Sequence, residues 1–260
     1  MFRDNIDGQT LHFDLAGLNG SNFVMRDSQT RSEWQQATGE AIAGPLKGKR
    51  LALVPFILTT WGEWRKKYPD TVAFLPEAEH AADYQMMESN TAGRPPTVGK
   101  GPPGRLVIGD WSGAAAPSQW GIQQDTRLPT HEQVMGIDVG GSQKAYPLSV
   151  LAKQTVLNDL VGRTPVLVIH SPQTDTTTVY SRRIGDRTLT FRAAKPVDTD
   201  VLIDRETGSQ WDRYGECLGG KMKGRKLEAI IPLPSFWFSW AGFYPKTEVY
   251  FSAKDAPAAQ

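Results

Sequence analysis

Four histidines, one cysteine and a cluster of hydroxyls are the side chains of this 260-residue chain best suited to move a proton, attack an electrophile or hold a metal. His12, His80, His131 and His170 lie far apart in sequence, and no pair has the short spacing that sets two imidazoles on one ion. Cys217 stands alone, which excludes an internal disulfide and any zinc site built from several thiolates of one chain. His170 is the most notable, because it ends an apolar strand, Pro165 to Ile169, and opens a polar loop of Ser171, Pro172, Gln173, Thr174 and Asp175. His170 and Ser171 are neighbours on an extended strand, however, so they point to opposite faces and cannot simply share a proton. Gly215–Gly224 is glycine-rich but lacks the strand, Gly-x-x-x-x-Gly-Lys-Ser/Thr and helix order of a phosphate loop. No cofactor is implied, and no catalytic or metal set emerges.

Tryptophans and one pair of aspartates offer a second kind of chemistry, recognition. Trp34, Trp61, Trp64, Trp211, Trp237 and Trp240 could stack on a sugar or clasp a cation. A core role is favoured, since small β domains depend on a few large aromatics. Asp27 and Asp204 each stand just before a Thr/Ser turn, where a carboxylate usually caps backbone donors rather than acting as an acid or base.

These residues recur because the chain repeats itself. Residues 2–74 overlay 180–250 with two one-residue adjustments, setting Ile6, Thr10, Leu11 and Phe13 on Ile184, Thr188, Leu189 and Phe191. Asp27, Thr30, Ser32 and Trp34 fall on Asp204, Thr207, Ser209 and Trp211, and Trp61, Trp64 and Tyr68 fall on Trp237, Trp240 and Tyr244. Cys217 falls on Ala41, which marks it as a small core filler. Three tryptophans on three tryptophans indicate two copies of one unit. Met1 falls opposite Val179, inside an expected strand, and the 125–179 segment of the second copy has no counterpart ahead of the first. The first copy is therefore expected to lack its N-terminal half.

Short alternating segments separated by Gly, Asp and Asn turns predict strands at Thr10–Phe13, Asn22–Arg26, Leu51–Pro55, Met135–Val139, Val166–Ile169, Thr188–Phe191, Val201–Asp204 and Leu227–Ile231. Helices are expected to be few and short, within Leu148–Leu160, Thr60–Lys67, Ser235–Phe243 and Glu77–Glu88. The fold expected is mainly β, with two related barrel- or sandwich-like domains. They span 1–88 and 125–254, joined by a Pro/Gly-rich linker over 89–124 that carries Trp111 and Trp120, with a tail at 255–260. The 39% hydrophobic and 22% charged content is that of a folded globular chain. Its 29 Lys+Arg against 28 Asp+Glu leave a formal +1, with no net field for nucleic acid. No apolar run approaches the ~20 residues of a membrane span.

The run Asp125-Thr126-Arg127-Leu128-Pro129, with Gly136-Ile137, Gly140-Gly141, Lys144-Ala145-Tyr146-Pro147-Leu148 and Asn158-Asp159, resembles the opening of the uncharacterised bacterial family "domain of unknown function 3179". Tyr180-Ser181-Arg182-Arg183 and Asp204 through Trp211 continue the likeness, and Arg31-Ser32-Glu33-Trp34 and Gly39 through Pro45 match in the first copy. The resemblance implies a Cys-Pro-x-Cys-Gly motif after the strand ending at His170, and a His-Glu pair ahead of Asn158. Here Ser171 and Thr174 replace the cysteines, Asp175 the glycine and Gln154-Thr155 the His-Glu pair, while Pro172 remains. Neither Ser nor Thr ionises usefully near neutral pH, so this copy is expected to be inert in thiol redox or soft-metal chemistry.

By the same resemblance, the reactive motif of the first copy is expected upstream of Met1, in a parent with thiol or selenol redox or metal-binding activity. The family includes candidate selenoproteins, and relatives are often exported, which implies a parent outside the cytoplasm. The present chain is expected to be its non-catalytic β-rich body. The alternative is a non-enzymatic ligand- or partner-binding β module. Unpaired edges of the first copy are expected to favour self-association.

Overall fold

Asp-Gly and Gly-Gly pairs set the tightest turns of the fold. Asp7-Gly8 joins β1 (Asn5–Ile6) to β2 (Gln9–Thr10), with φ of 51° and 82°, and a two-residue turn with both φ positive matches the twist of paired strands. A four-stranded antiparallel sheet follows, formed by β3 (Phe13–Asn19), β4 (Asn22–Asp27), β5 (Glu33–Gln35) and β6 (Glu40–Ala43) in that order. Its core is Leu11, Trp34, Ala41 and Leu51, with Phe2, Ile6, Phe13 and Met25 packed around them. Helix α1 (Trp61–Lys67) comes next, capped by the Thr60 hydroxyl, which accepts from the Glu63 N–H.

The computed structural model describes residues 2–19, 22–73, 78, 125–195 and 198–251. The expected linker at 89–124 with Trp111 and Trp120, His80, and the tail at 255–260 lie outside the described residues, as does the helix expected over Glu77–Glu88 apart from Ala78. The chain splits into two compact units. One holds the described residues of Met1–Ile57, Ala115–Ser171 and Thr177–Gln260, the other those of Leu58–Ala114 and Pro172–Thr176. Among the described residues, no helix is long and apolar enough to cross a membrane.

The second half opens with β7 (Gln133–Val139) and β8 (Ser142–Pro147), joined through Gly140-Gly141, and a one-turn helix α2 (Leu148–Leu151). Then come β9 (Val156–Val161), β10 (Thr164–Ser171) and β11 (Thr176–Ser181), the hairpin β12 (Arg183–Ile184) and β13 (Arg187–Thr188), and a sheet of β14 (Phe191–Lys195), β15 (Asp198–Asp204), β16 (Gln210–Asp212) and β17 (Cys217–Gly219). β18 (Ala229–Ile230) pairs with β11, β19 (Leu233–Phe236) pairs with β7, and after helix α3 (Trp237–Phe243) the short β20 (Glu248–Val249) runs parallel to β8.

Strand β10 explains the layering. Val166 and Val168 enter one apolar cluster with Met135, Ile137 and Tyr146, while Leu167 and Ile169 enter another with Phe191, Leu202 and Trp211. Successive strand residues point to opposite faces, so an unbroken apolar run is what a strand between two layers requires. On the far side of the β7–β8 sheet, Trp237, Trp240 and Ala241 of α3 pack on Val134 and Ala145. Gly136 permits that approach, since a Cβ there would sit 2.2 Å from the Trp240 ring.

The protein is mainly β, with several antiparallel sheets, as its alternating segments lead one to expect. Four segments differ, and two of them, Thr10–Phe13 and Thr188–Phe191, are corners rather than strands: β2 and β13 end at Thr10 and Thr188, and β3 and β14 begin at Phe13 and Phe191. Leu148–Leu160 opens with the short helix and turn expected of it, over Leu148–Leu151 and the two residues after, but β-branched Val156 and Val161 then bracket a stretch that pairs as β9 with β10. Leu51–Pro55 contributes a single bridge, Leu53 to Phe2, rather than a strand. Trp211 is buried in the cluster shared with β10, whereas Trp34 serves the smaller core of the first sheet. Trp211→Ala is therefore expected to cost about 3–5 kcal/mol and to lower the melting temperature more than Trp34→Ala; thermal melts of the two variants check the order, and a larger loss at Trp34 would contradict it.

Candidate functional site

The two aspartates are spent on structure. Asp27 is fully buried and accepts from Trp34 Nε1 at 2.8 Å, from the Thr30 hydroxyl at 2.9 Å and from the Thr30 N–H. Asp204 is equally buried and accepts from Trp211 Nε1 at 2.9 Å, from the Thr207 hydroxyl at 2.8 Å and from the N–H groups of Thr207 and Ser209. Ser32 and Ser209 extend each turn by accepting from Leu46 N and Met222 N at 3.0 and 3.1 Å. Phe13 meets Trp34 edge-on at 5.9 Å between centroids, and Phe191 meets Trp211 at 5.8 Å. Burial alone would raise the Asp27 pKa, but the donors from Trp34, Thr30 and Ser32 outweigh it and hold the carboxyl below its usual 3.8.

The six paired tryptophans differ in burial. Trp34, Trp211 and Trp237 are fully buried, Trp240 nearly so, and Trp64 is half-buried. Trp64 and Trp240 donate from Nε1 to Thr71 and Thr247 at 3.1 and 2.9 Å, each tilted against a tyrosine four residues on. Trp61 departs from the core role that its match to Trp237 suggests: it is 51% exposed. Trp237 owes its burial to Val134 and Ala145, whereas Trp61 has the Arg65 guanidinium 5.8 Å from its ring centroid.

At the end of β10, His170 is buried with Nδ1 3.0 Å from the Thr177 hydroxyl. Its N–H donates to Thr155 O at 2.8 Å, which lays Gln154-Thr155 beside the strand end. The positions where the resemblance implies His-Glu and the first motif cysteine thus come together, in this chain as Gln154-Thr155 and Ser171. Gln154 Oε1 accepts from the Tyr250 hydroxyl at 2.9 Å, and Ser171 is buried. Pro172 to Asp175 form the turn, with Asp175 at φ 50°. In that second unit Thr174 donates to the Thr176 hydroxyl at 2.9 Å, and Thr176 donates to Thr59 at 2.8 Å. Among the described residues, no three His, Cys, Asp or Glu side chains gather as a metal group would. Cys217 is a core residue, and burial pushes its thiol pKa up.

A cleft of about 420 Å³ lies elsewhere in the first unit, a volume within the range of small-ligand pockets. Phe2, Phe13, Met25 and Leu51 form one wall, and Leu233, Ser235, Trp240, Phe243 and Tyr244 the other. Arg3, Asp4 and Asn22 add charge and hydrogen-bonding groups. Next to Asn22, buried Gln35 donates from Nε2 to Phe23 O at 3.3 Å, and among the described residues its Oε1 has no partner.

Sequence reasoning missed this cleft, because its walls come from segments some 200 residues apart and carry ordinary core residues. It also missed Asn158, whose carboxamide ties β9 to Phe191, and the Lys144–Asp159 ion pair at 2.8 Å, which shares its carboxylate with the Tyr146 hydroxyl. The Asn158-Asp159 dipeptide was visible as a family feature, but its bonding partners were not.

Two measurements check the site chemistry. Asp27 stabilises the fold above pH 3.8, and this contribution is lost as pH falls through its depressed folded value. Asp27→Asn is expected to lower stability at pH 7 by about 1–3 kcal/mol and to flatten the acid limb of a denaturation-against-pH series; an unchanged limb would contradict it. Cys217 should resist iodoacetamide in the folded chain and react on unfolding in urea, whereas rapid labelling of the native chain would contradict its core placement.

Comparison with curated proteins and with solved structures returns no match. A family model described as "Protein of unknown function (DUF3179)" matches residues 1–247, a span that takes in both halves. With that span covered, the chain belongs to this family, the one its Asp125–Asp159 and Asp204–Trp211 segments resemble.

Proposed function

We propose that this chain is a non-enzymatic ligand- or partner-binding β module whose binding site is the cleft between Phe13 and Phe243. The cleft carries the reading: it pairs apolar walls with the polar groups of Arg3, Asp4, Asn22 and Ser235, the combination that orients a bound group. The thiol or selenol redox and metal-binding reading has less support in these residues. Ser171 and Thr174 supply hydroxyls where the family motif implies thiolates, Gln154 spends its Oε1 on Tyr250, and the sole thiol is a core filler.

The two halves also read as copies of one unit. Phe2 bridges to Leu53 as Tyr180 pairs with Ala229, Gly39 meets the Phe2 ring as Gly215 meets Tyr180, and the Asp-Thr-Ser-Trp bonding recurs. On this reading the second copy is the self-sufficient scaffold, and the first completes the binding cleft against the Leu233 to Tyr244 segment of the second.

NMR titration with indole and benzamide as probes tests the cleft. Amide shifts are expected at Phe13, Met25, Ser235 and Ser239, with residues around Cys217 unmoved. Shifts confined to other surfaces, or none at millimolar probe, would contradict the proposal.

A further inference from the structure

Phe13 and Phe191 hold matching places at the start of an edge strand, each set edge-on against a buried tryptophan. Phe191 lies opposite Asp204, and the flanking bond from Arg205 N to Thr190 O makes this a pair without hydrogen bonds between its own members. Its N–H and C=O therefore turn away from β15. Asn158 of β9 takes both: Phe191 N–H donates to Oδ1 at 2.7 Å, and Nδ2 donates to Phe191 O at 2.7 Å.

Phe13 lies opposite Asp27, flanked by the bond from Ser28 N to His12 O, so its N–H and C=O likewise turn away from β4. Among the described residues no carboxamide brackets them. Phe13 lines the cleft, and along the same strand Leu15 and Leu18 are 68% and 64% exposed. An open edge with paired donor and acceptor, beside exposed apolar side chains, is the surface on which an extended peptide adds. Charge refines the fit. Arg182 reaches Asp159 O and Val166 O of the strands covering Phe191, whereas the matching position in the first half is Asp4, which lines the cleft.

We propose that an extended polypeptide segment carrying an asparagine preceded by an apolar residue and followed by a basic one docks along β3 with its carboxamide on the N–H and C=O of Phe13. This rests on the cleft being a binding site and adds the chemistry of its occupant. The bracket at Asn158 and Phe191 is the template for the contact.

Isothermal titration of the full chain with a peptide of residues 155–163 bearing Asp159→Lys tests it, with hydrogen exchange read at the Phe13 amide. Saturable binding and slowed exchange at Phe13 are expected, and Asn158→Leu within the peptide should weaken binding about tenfold or more as the two hydrogen bonds are lost. Equal affinity for the Asn and Leu peptides, binding that leaves Phe13 exchange unchanged, or a chain whose β3 edge is already closed by dimerisation would overturn it. If indole or benzamide enters the cleft while the peptide does not bind, this proposal falls and the cleft reading stands; if neither binds, both fall.

Discussion

A backbone N–H and C=O at the edge of a sheet need partners wherever water is excluded, and this fold meets that need with one side chain at Phe191. The Asn158 carboxamide supplies a donor and an acceptor in the spacing a neighbouring strand would offer, and so welds β9 to β14 without extending either sheet. Around that weld the second half stacks its layers: α3 on the β7–β8 sheet, that sheet on β10, and β10 on β14 to β17. Remove the requirement that β10 be apolar on both faces, and the order of layers has no cause.

The first half keeps the sheet, the buried carboxylate and the indole, but meets different surroundings. Its Asp27 turn matches that of Asp204 bond for bond at Thr30 and Trp34. Its edge strand, by contrast, faces a cleft, with exposed leucines beyond. Local chemistry is thus the same in both halves, while burial differs. A buried polar turn can be specified by a few adjacent residues, whereas the fate of a face depends on what comes to cover it.

That distinction also marks how far the sequence could be read. The Asp-Thr-Ser-Trp turns, the Asp7-Gly8 and Gly140-Gly141 hairpins and the apolar run of β10 were legible, because each is encoded within a few residues by φ, capping or alternation. Trp61 and Trp237 sit in matching sequence surroundings, yet one is half exposed and the other buried, since the difference lies in Val134 and Ala145. β9 was hidden by leucines that also suit a helix, and pairing with β10 decided the matter. The cleft could not be seen at all, being made of core-type residues from distant segments. At the end of β10 the sequence shows which polar residues are present, Gln154 and Ser171 among them, but the bond from Tyr250 to Gln154 joins positions 96 residues apart and could not be read from it.

Native-state hydrogen exchange of the free chain, resolved at two amides, addresses the central claim that one edge is closed and its counterpart open. Phe191 N–H, held by Asn158, is expected to exchange only through opening of the second half, and Phe13 N–H to exchange at least a hundredfold faster, the equivalent of about 2.7 kcal/mol of protection. Equal protection at the two amides would contradict the account.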